Sequence, residues 1–108
     1  MKLKALRERA FVLQRGRCYY CKARMWQATP AELGLCGKYS RQFKCTAEHL
    51  VARRDGGRDT CDNIVAACLY CNRLRHARKM PPTPEVYVTH VRKRVDRGGW
   101  HVAFAIFE

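Results

Sequence analysis

Apolar residues return at spacings of three and four along residues 3–15, where Leu3, Leu6, Ala10 and Leu13 are separated by Lys and Arg. That period predicts an amphipathic helix ending before Gly16. From Phe43 to Val51, β-branched, aromatic and small residues mix, which predicts a strand, and Asn63 to Ala67 predicts a short strand returning from it. Between them, Arg53-Arg54-Asp55-Gly56-Gly57-Arg58-Asp59 reads as a loop. Leu69 to Lys79 has helical composition and is closed off by Pro81 and Pro82, neither of which can donate to a continuing helix. Thr83-Pro84-Glu85 predicts a further helix start. Val86, His90, Val91 and Arg94 carry that helix to Gly98-Gly99, and Trp100 to Phe107 predicts a closing strand. The stretch from Met25 to Gly37 is irregular apart from Thr29-Pro30-Ala31-Glu32, which has the N-cap, first-turn proline and capping-box glutamate of a short helical turn.

Strand, basic glycine loop, strand and helix, with a helix on either flank, predict an α+β domain. A length of 108 residues leads us to expect a single domain, since two self-sufficient cores need more chain. Hydrophobic residues at 47% and charged residues at 29% describe a folding chain rather than a disordered one. Charge narrows the partner: 22 Lys+Arg against 9 Asp+Glu leave a net +13, which a polyanion relieves. Nucleic acid leads over an anionic membrane surface. Apolar stretches such as Val102 to Phe107 fall far short of the roughly 18 to 20 residues that span a bilayer. The start of the chain alternates Lys and Arg with Leu and Ala rather than forming a leader, so the expected location is cytoplasmic, with no membrane partner.

The seven cysteines include two Cys-x-x-Cys pairs, Cys18/Cys21 and Cys68/Cys71, separated by 46 residues. In a reducing compartment such pairs point to metal thiolates rather than disulfides, and four of them suit tetrahedral Zn²⁺. The alternatives are buried free thiols or a redox pair, although neither pair sits in the βαβ context of a thioredoxin-like motif. Cys36, Cys45 and Cys61 remain over and are expected to be free and buried. A domain this small would draw much of its stability from such a metal.

Between the two pairs stand Cys45-Thr46-Ala47-Glu48-His49-Leu50-Val51, then Gly56-Gly57, then Asp62-Asn63-Ile64-Val65, then Cys68-Leu69-Tyr70-Cys71-Asn72. Hydrolysing a phosphodiester needs a base for water, a cation for the charge developing on the leaving oxygen, and rigid placement of both. An imidazole near neutral pH can accept a proton, which makes His49 the fitting base. Asn63 opens the returning strand, where its amide can hold the loop and the His49 side by hydrogen bonds.

Carboxylate-His, Gly-Gly, Asn-Ile-Val and Cys-x-x-Cys-Asn in this order resemble the HNH endonuclease family, in the zinc-containing branch where two knuckles bracket a ββα-metal motif. The likeness spans about residues 17–80. The family's first position, often Asp or His, is Glu48 here. Its last, often His, is Asn72, so the chain reads as an HNN-type variant. The resemblance implies a small ββα-metal core stapled by a four-cysteine zinc site formed by Cys18, Cys21, Cys68 and Cys71. It also implies a catalytic divalent cation (Mg²⁺, Mn²⁺, Ni²⁺ or Zn²⁺) held by Glu48 and Asn72, with His76 as a third ligand on the same helical face. His49 would act as general base and Asn63 would orient it. The implied substrate is double-stranded DNA, cut to leave a 5′-phosphate.

Arg53, Arg54 and Arg58 on the loop, and Arg73, Arg75, Arg78 and Lys79 on the helix, are expected to grip phosphates on either side of the scissile bond. His90, Arg92, Lys93, Arg94 and Arg97 form a second basic stretch. The rival reading is a zinc-ribbon module that binds nucleic acid without cutting it. Such a module needs the cysteines and basic residues, but not Glu48, His49, Asn63 and Asn72 together. A small subunit of a phage packaging or restriction assembly, in a bacterial or phage-infected cell, is compatible with the enzyme reading.

Overall fold

Cys45 pairs with Cys68 at one end of a two-stranded antiparallel sheet, and His49 pairs with Ile64 at the other. The strands are β1 (Cys45–His49) and β2 (Ile64–Cys68), and α2 (Leu69–His76) follows β2 directly. The computed structural model describes residues 1–101, and within it the expected α+β order of strand, loop, strand and helix holds. The strand expected over residues 100–107 lies outside the described residues except for Trp100 and His101, which form no strand.

α1 (Leu3–Leu13) buries Leu6 and Ala10 and packs against both strands. It stops two residues before the periodicity suggests, because Arg15 and Gly16 both take left-handed backbone, with φ of 55° and 73°. Gln14, at the break, uses its side-chain amide as a strand would use a peptide. Its Nε2 donates to the Ala66 carbonyl at 2.8 Å and its Oε1 accepts from the Ala66 N–H at 2.9 Å. Ala66 on the outer edge of β2 thereby has both its peptide groups paired, its carbonyl also accepting from the Tyr19 N–H at 2.9 Å, where a two-stranded sheet otherwise leaves such groups open.

β1 is shorter than the composition suggests. Phe43 closes a 3₁₀ turn over Lys38–Phe43 and is buried, so the chain enters the sheet only after Trp26 has bridged to Lys44. The capping box at Thr29 forms as expected and starts a 3₁₀ turn, Pro30–Leu33, in which the Glu32 carboxylate accepts from the Gln27, Ala28 and Thr29 N–H groups. The indole of Trp26 donates to the Ser40 carbonyl at 2.8 Å, tying the base of this insert to its far side.

α2 ends at His76 rather than Lys79. Met80 precedes Pro81, a position disfavouring helical backbone, and the Arg75 guanidinium draws the Pro82 carbonyl back toward the sheet at 3.0 Å. α3 (Pro84–Asp96) starts where expected, with the Thr83 hydroxyl accepting from the Val86 N–H at 3.3 Å. It buries Tyr87 and Val91. The Tyr87 hydroxyl donates to the Cys71 carbonyl at 2.7 Å, and its ring meets Tyr20 edge-on at 4.8 Å. No helix among the described residues is long and apolar enough to cross a membrane.

Candidate active site and metal centre

The first cysteine pair sits in a knuckle after α1. The Cys18 N–H donates to the Ala23 carbonyl at 2.8 Å, the Lys22 N–H donates to the Cys18 carbonyl at 3.0 Å, and Lys22 takes left-handed backbone (φ 66°) to close the turn. The second pair opens α2: Cys68 is its N-cap, and its sulfur accepts from the Cys71 N–H at 3.4 Å. The unpaired N–H groups of a helix start favour a thiolate there. All four sulfurs are buried and lie within 4.8 Å of one another, with Cys21 and Cys68 at 3.9 Å. Thiolates about 2.3 Å from a tetrahedral Zn²⁺ lie about 3.8 Å apart, so this donor set fits zinc. Hydrogen bonds from Cys18, and then from Cys68 and Cys71, hold the Cys21 thiol far below its ordinary range, whereas burial pushes Cys68 and Cys71 up.

Sequence reading gives no role to the chain after α3, yet this chain covers the sulfurs. The Trp100 indole N–H lies 3.2 Å from the Cys71 sulfur, and His101 Nε2 lies 3.3 Å from that of Cys21. Of the remaining cysteines only Cys45 is buried, and burial raises its thiol to about 11. Cys36 and Cys61 are free but exposed, against expectation, since both lie on loops with no core above them.

Where β1 ends against α2, a hollow of about 340 Å³ is lined by Glu48, His49, Arg53, Asn72 and His76, with Leu3, Ala47 and Ala52 as its apolar wall. Of the residues expected at the catalytic site, Glu48, His49, Asn72 and His76 line this one hollow, and Asn63 does not. His76 follows Asn72 by one helical turn, which brings both to the same face of α2. Glu48 Oε1 and His76 Nε2 approach to 2.9 Å. Neighbouring ligands on an octahedral ion with bonds of about 2.1 Å lie about 3.0 Å apart, so carboxylate and imidazole could serve one divalent cation. The Asn72 Nδ2 donates to the Thr46 hydroxyl at 3.0 Å and the Ala47 carbonyl at 3.3 Å, which fixes the amide with its nitrogen toward β1.

Arg75 overturns one expectation. Read as a phosphate contact, it is 5% exposed and spends its donors inside the protein. Its Nη1 meets Glu48 Oε2 at 3.0 Å and the His49 carbonyl at 3.1 Å, its Nη2 meets the Leu50 carbonyl at 3.1 Å, and its Nε meets Pro82. The buried Tyr20 hydroxyl adds a bond to the same carboxylate oxygen at 2.8 Å. Burial, then the neighbouring Glu48, keep that phenol protonated and able to donate. A charge placed between the site and the core is compensated where it stands and is not offered to a phosphate. Tyr20 gives no signal in the sequence beyond an apolar position inside a knuckle.

The loop between the strands is clamped by Asn63. Its Oδ1 accepts from the Val51 N–H at 2.9 Å, and its Nδ2 donates to the carbonyls of Val51 and Arg58, both at 3.0 Å. Gly57 passes so close that a Cβ there would sit 1.7 Å from the Val51 oxygen. Asp59, on this loop, lies 2.8 Å from His49 Nε2 through Oδ1 and 2.9 Å from Arg53 through Oδ2. The hydrogen bond with His49 is the leading cause that holds its carboxyl below the usual range. Asp59 carries no site signal in the sequence, because its ten-residue separation from His49 is closed only by the fold of the loop.

The other expected phosphate contacts stand on the surface: Arg53, Arg54, Arg58, Arg73, Arg78 and Lys79 line the outside of the loop and helix. Arg53 edges the hollow, and Arg54 reaches the Lys79 carbonyl at 3.1 Å. Arg73 turns away from the hollow to line a separate depression with Lys38 and Arg41.

The model of the HNH endonuclease family matches residues 34–78. That segment contains β1, the clamped loop, β2 and α2, with every residue of the hollow except Leu3, and it begins after Cys18 and Cys21. Nothing among the curated proteins or the solved structures matches the chain. The matched segment is thus similar to an HNH endonuclease domain, a likeness that implies nuclease-type or nucleic-acid-binding function, and the four clustered cysteines beside it could hold a metal such as zinc.

Proposed function

We propose that this protein is a metal-dependent endonuclease that hydrolyses DNA phosphodiester bonds in double-stranded substrate. The observation that carries the reading is the hollow at the end of β1, where an imidazole, a carboxylate, an amide and a second imidazole from two elements line one small space rimmed by Arg53. Glu48, Asn72 and His76 would hold a divalent cation, which when bound supplies positive charge to the phosphate and its leaving 3′ oxygen. His49 takes the proton of the attacking water, and Arg75 and Tyr20 hold the Glu48 carboxylate in place from behind. Asn63 keeps the loop closed against the end of β1. Arg53, Arg54, Arg58, Arg73 and Lys79 contact phosphates and give affinity without reading bases. Zn²⁺ on Cys18, Cys21, Cys68 and Cys71 is structural, since four thiolates leave no open position for substrate.

The rival is a module that binds nucleic acid and does not cut it. Plasmid nicking by purified protein with Mg²⁺, Mn²⁺, Ni²⁺ or Zn²⁺, beside His49→Ala, separates the two. Cleavage by the parent and its loss in His49→Ala, with DNA affinity retained, is the expected result. Equal cutting by both, or by neither, rejects the reading.

A further inference from the structure

The loop between β1 and β2 brings one carboxylate to the ring of the proposed base. The two oxygens of Asp59 are divided between His49 Nε2, at 2.8 Å, and Arg53, at 2.9 Å from Oδ2 and 3.2 Å from Oδ1. An ionised carboxylate can only accept hydrogen bonds, so the ring nitrogen facing it carries the proton. The other nitrogen, Nδ1, is then left with its lone pair. The loop is held for this purpose at the adjacent residue, since Asn63 bonds the Arg58 carbonyl at 3.0 Å and Gly57 lets the chain pass against Val51.

From this geometry we infer that Asp59 is the positioning residue of the proposed nuclease: it fixes His49 in the Nε2–H tautomer and aims Nδ1 at the water, while Asn63 acts on the base through the loop that carries Asp59. The inference rests on the nuclease reading for its catalytic half and on the loop geometry alone for its structural half. In the proton transfer, Nδ1 takes H⁺ from water as the new O–P bond forms and the P–O3′ bond breaks, the 3′ oxygen leaving with the bonding pair and taking its proton from solvent water. The imidazolium that results lies against a carboxylate already in place, so its charge is stabilised without rearrangement. Arg53 shares the same carboxylate, and a phosphate drawing Arg53 away would leave Asp59 to His49 alone.

Two readouts test this on the full-length, zinc-loaded protein. Long-range ¹H–¹⁵N spectra of the histidine rings, assigned with His49→Ala, are expected to show His49 as Nε2–H in the parent near pH 8 and as a tautomer mixture in Asp59→Ala. In cleavage kinetics Asp59→Asn is expected to lower kcat roughly 10- to 100-fold, part of the 10² to 10⁴ that a general base supplies, with KM and DNA affinity unchanged. Asp59→Glu is expected to recover part of the loss. Arg53→Ala should do the reverse, raising KM while leaving the ring spectrum as it was. A His49 ring protonated on Nδ1 in the parent overturns the inference, as does full kcat in both Asp59→Asn and Asp59→Ala. Should the protein fail to cut DNA at all, the nuclease reading falls and the ring spectrum still decides the Asp59 contact.

Discussion

Arg75 Nη1 lies 3.0 Å from Oε2 of Glu48, and both side chains are almost wholly buried, at 5% and 1% exposure. The carboxylate proposed to hold a cation thus already has a resident counter-charge on Oε2, while Oε1 meets His76 Nε2. Removing one partner leaves the other charged and buried. Arg75→Met is expected to cost about 3–5 kcal/mol in urea unfolding, and Glu48→Gln with Arg75→Met to cost less than Arg75→Met alone. A surface arginine in a phosphate-gripping role would show neither effect.

Zinc content follows from the four clustered sulfurs. Purified protein should carry about one Zn²⁺ per chain by elemental analysis, and a strong chelator should lower its Tm and loosen α2, which begins at Cys68. Trp100→Phe removes the N–H directed at the Cys71 sulfur while keeping an aromatic ring, and should weaken zinc retention roughly 10-fold in a competition titration.

The residues facing the hollow should separate by what excess cation can do. Asn72→Ala and His76→Ala are expected to raise the divalent-ion concentration for half-maximal cleavage about tenfold, equivalent to ~1.4 kcal/mol of lost ligation, and to recover at high concentration. His49→Ala should not recover, because its proton acceptor is gone. Calorimetric titration of the ion, made without DNA, should show the same weakening in the two ligand variants and none in His49→Ala.

Gly57 and Gly56 should respond differently to the same change. A Cβ at Gly57 meets the Val51 oxygen at 1.7 Å and Asn63 Nδ2 at 2.9 Å, so Gly57→Ala must open the clamp, at about 1–3 kcal/mol. Cleavage should fall with it, as the His49 side of the loop moves. Gly56 has a φ of 94° but open space around it, so Gly56→Asn should cost less and leave the site closed. Comparing unfolding midpoints and nicking rates of the two variants checks both halves.

Local order was legible in the chain because it is made by neighbours in sequence. Thr83 before Pro84, the capping box from Thr29 to Glu32, the small-residue strand Ile64–Cys68 and the two-residue spacing of each cysteine pair state their own structure, whatever surrounds them. Helical spacing also made Asn72 and His76 readable as one face of α2, whereas Glu48 and His49, neighbours on a strand, were joined to them by the resemblance to the HNH family and not by a shared face. What stayed hidden depends on where a side chain finds its partner. Arg75 looks in sequence like any other arginine of a basic helix, and only the turn of α2 against β1 sends it inward to Glu48 and the His49 and Leu50 carbonyls. Asp59 looks like loop, and only the path of that loop past Val51 brings it to His49. Trp100 and His101 read as part of a strand, yet stand over the sulfurs because α3 returns the chain there. A charged side chain buries or stays in water according to the partners packing supplies, and those partners are set by the fold rather than by adjacent residues.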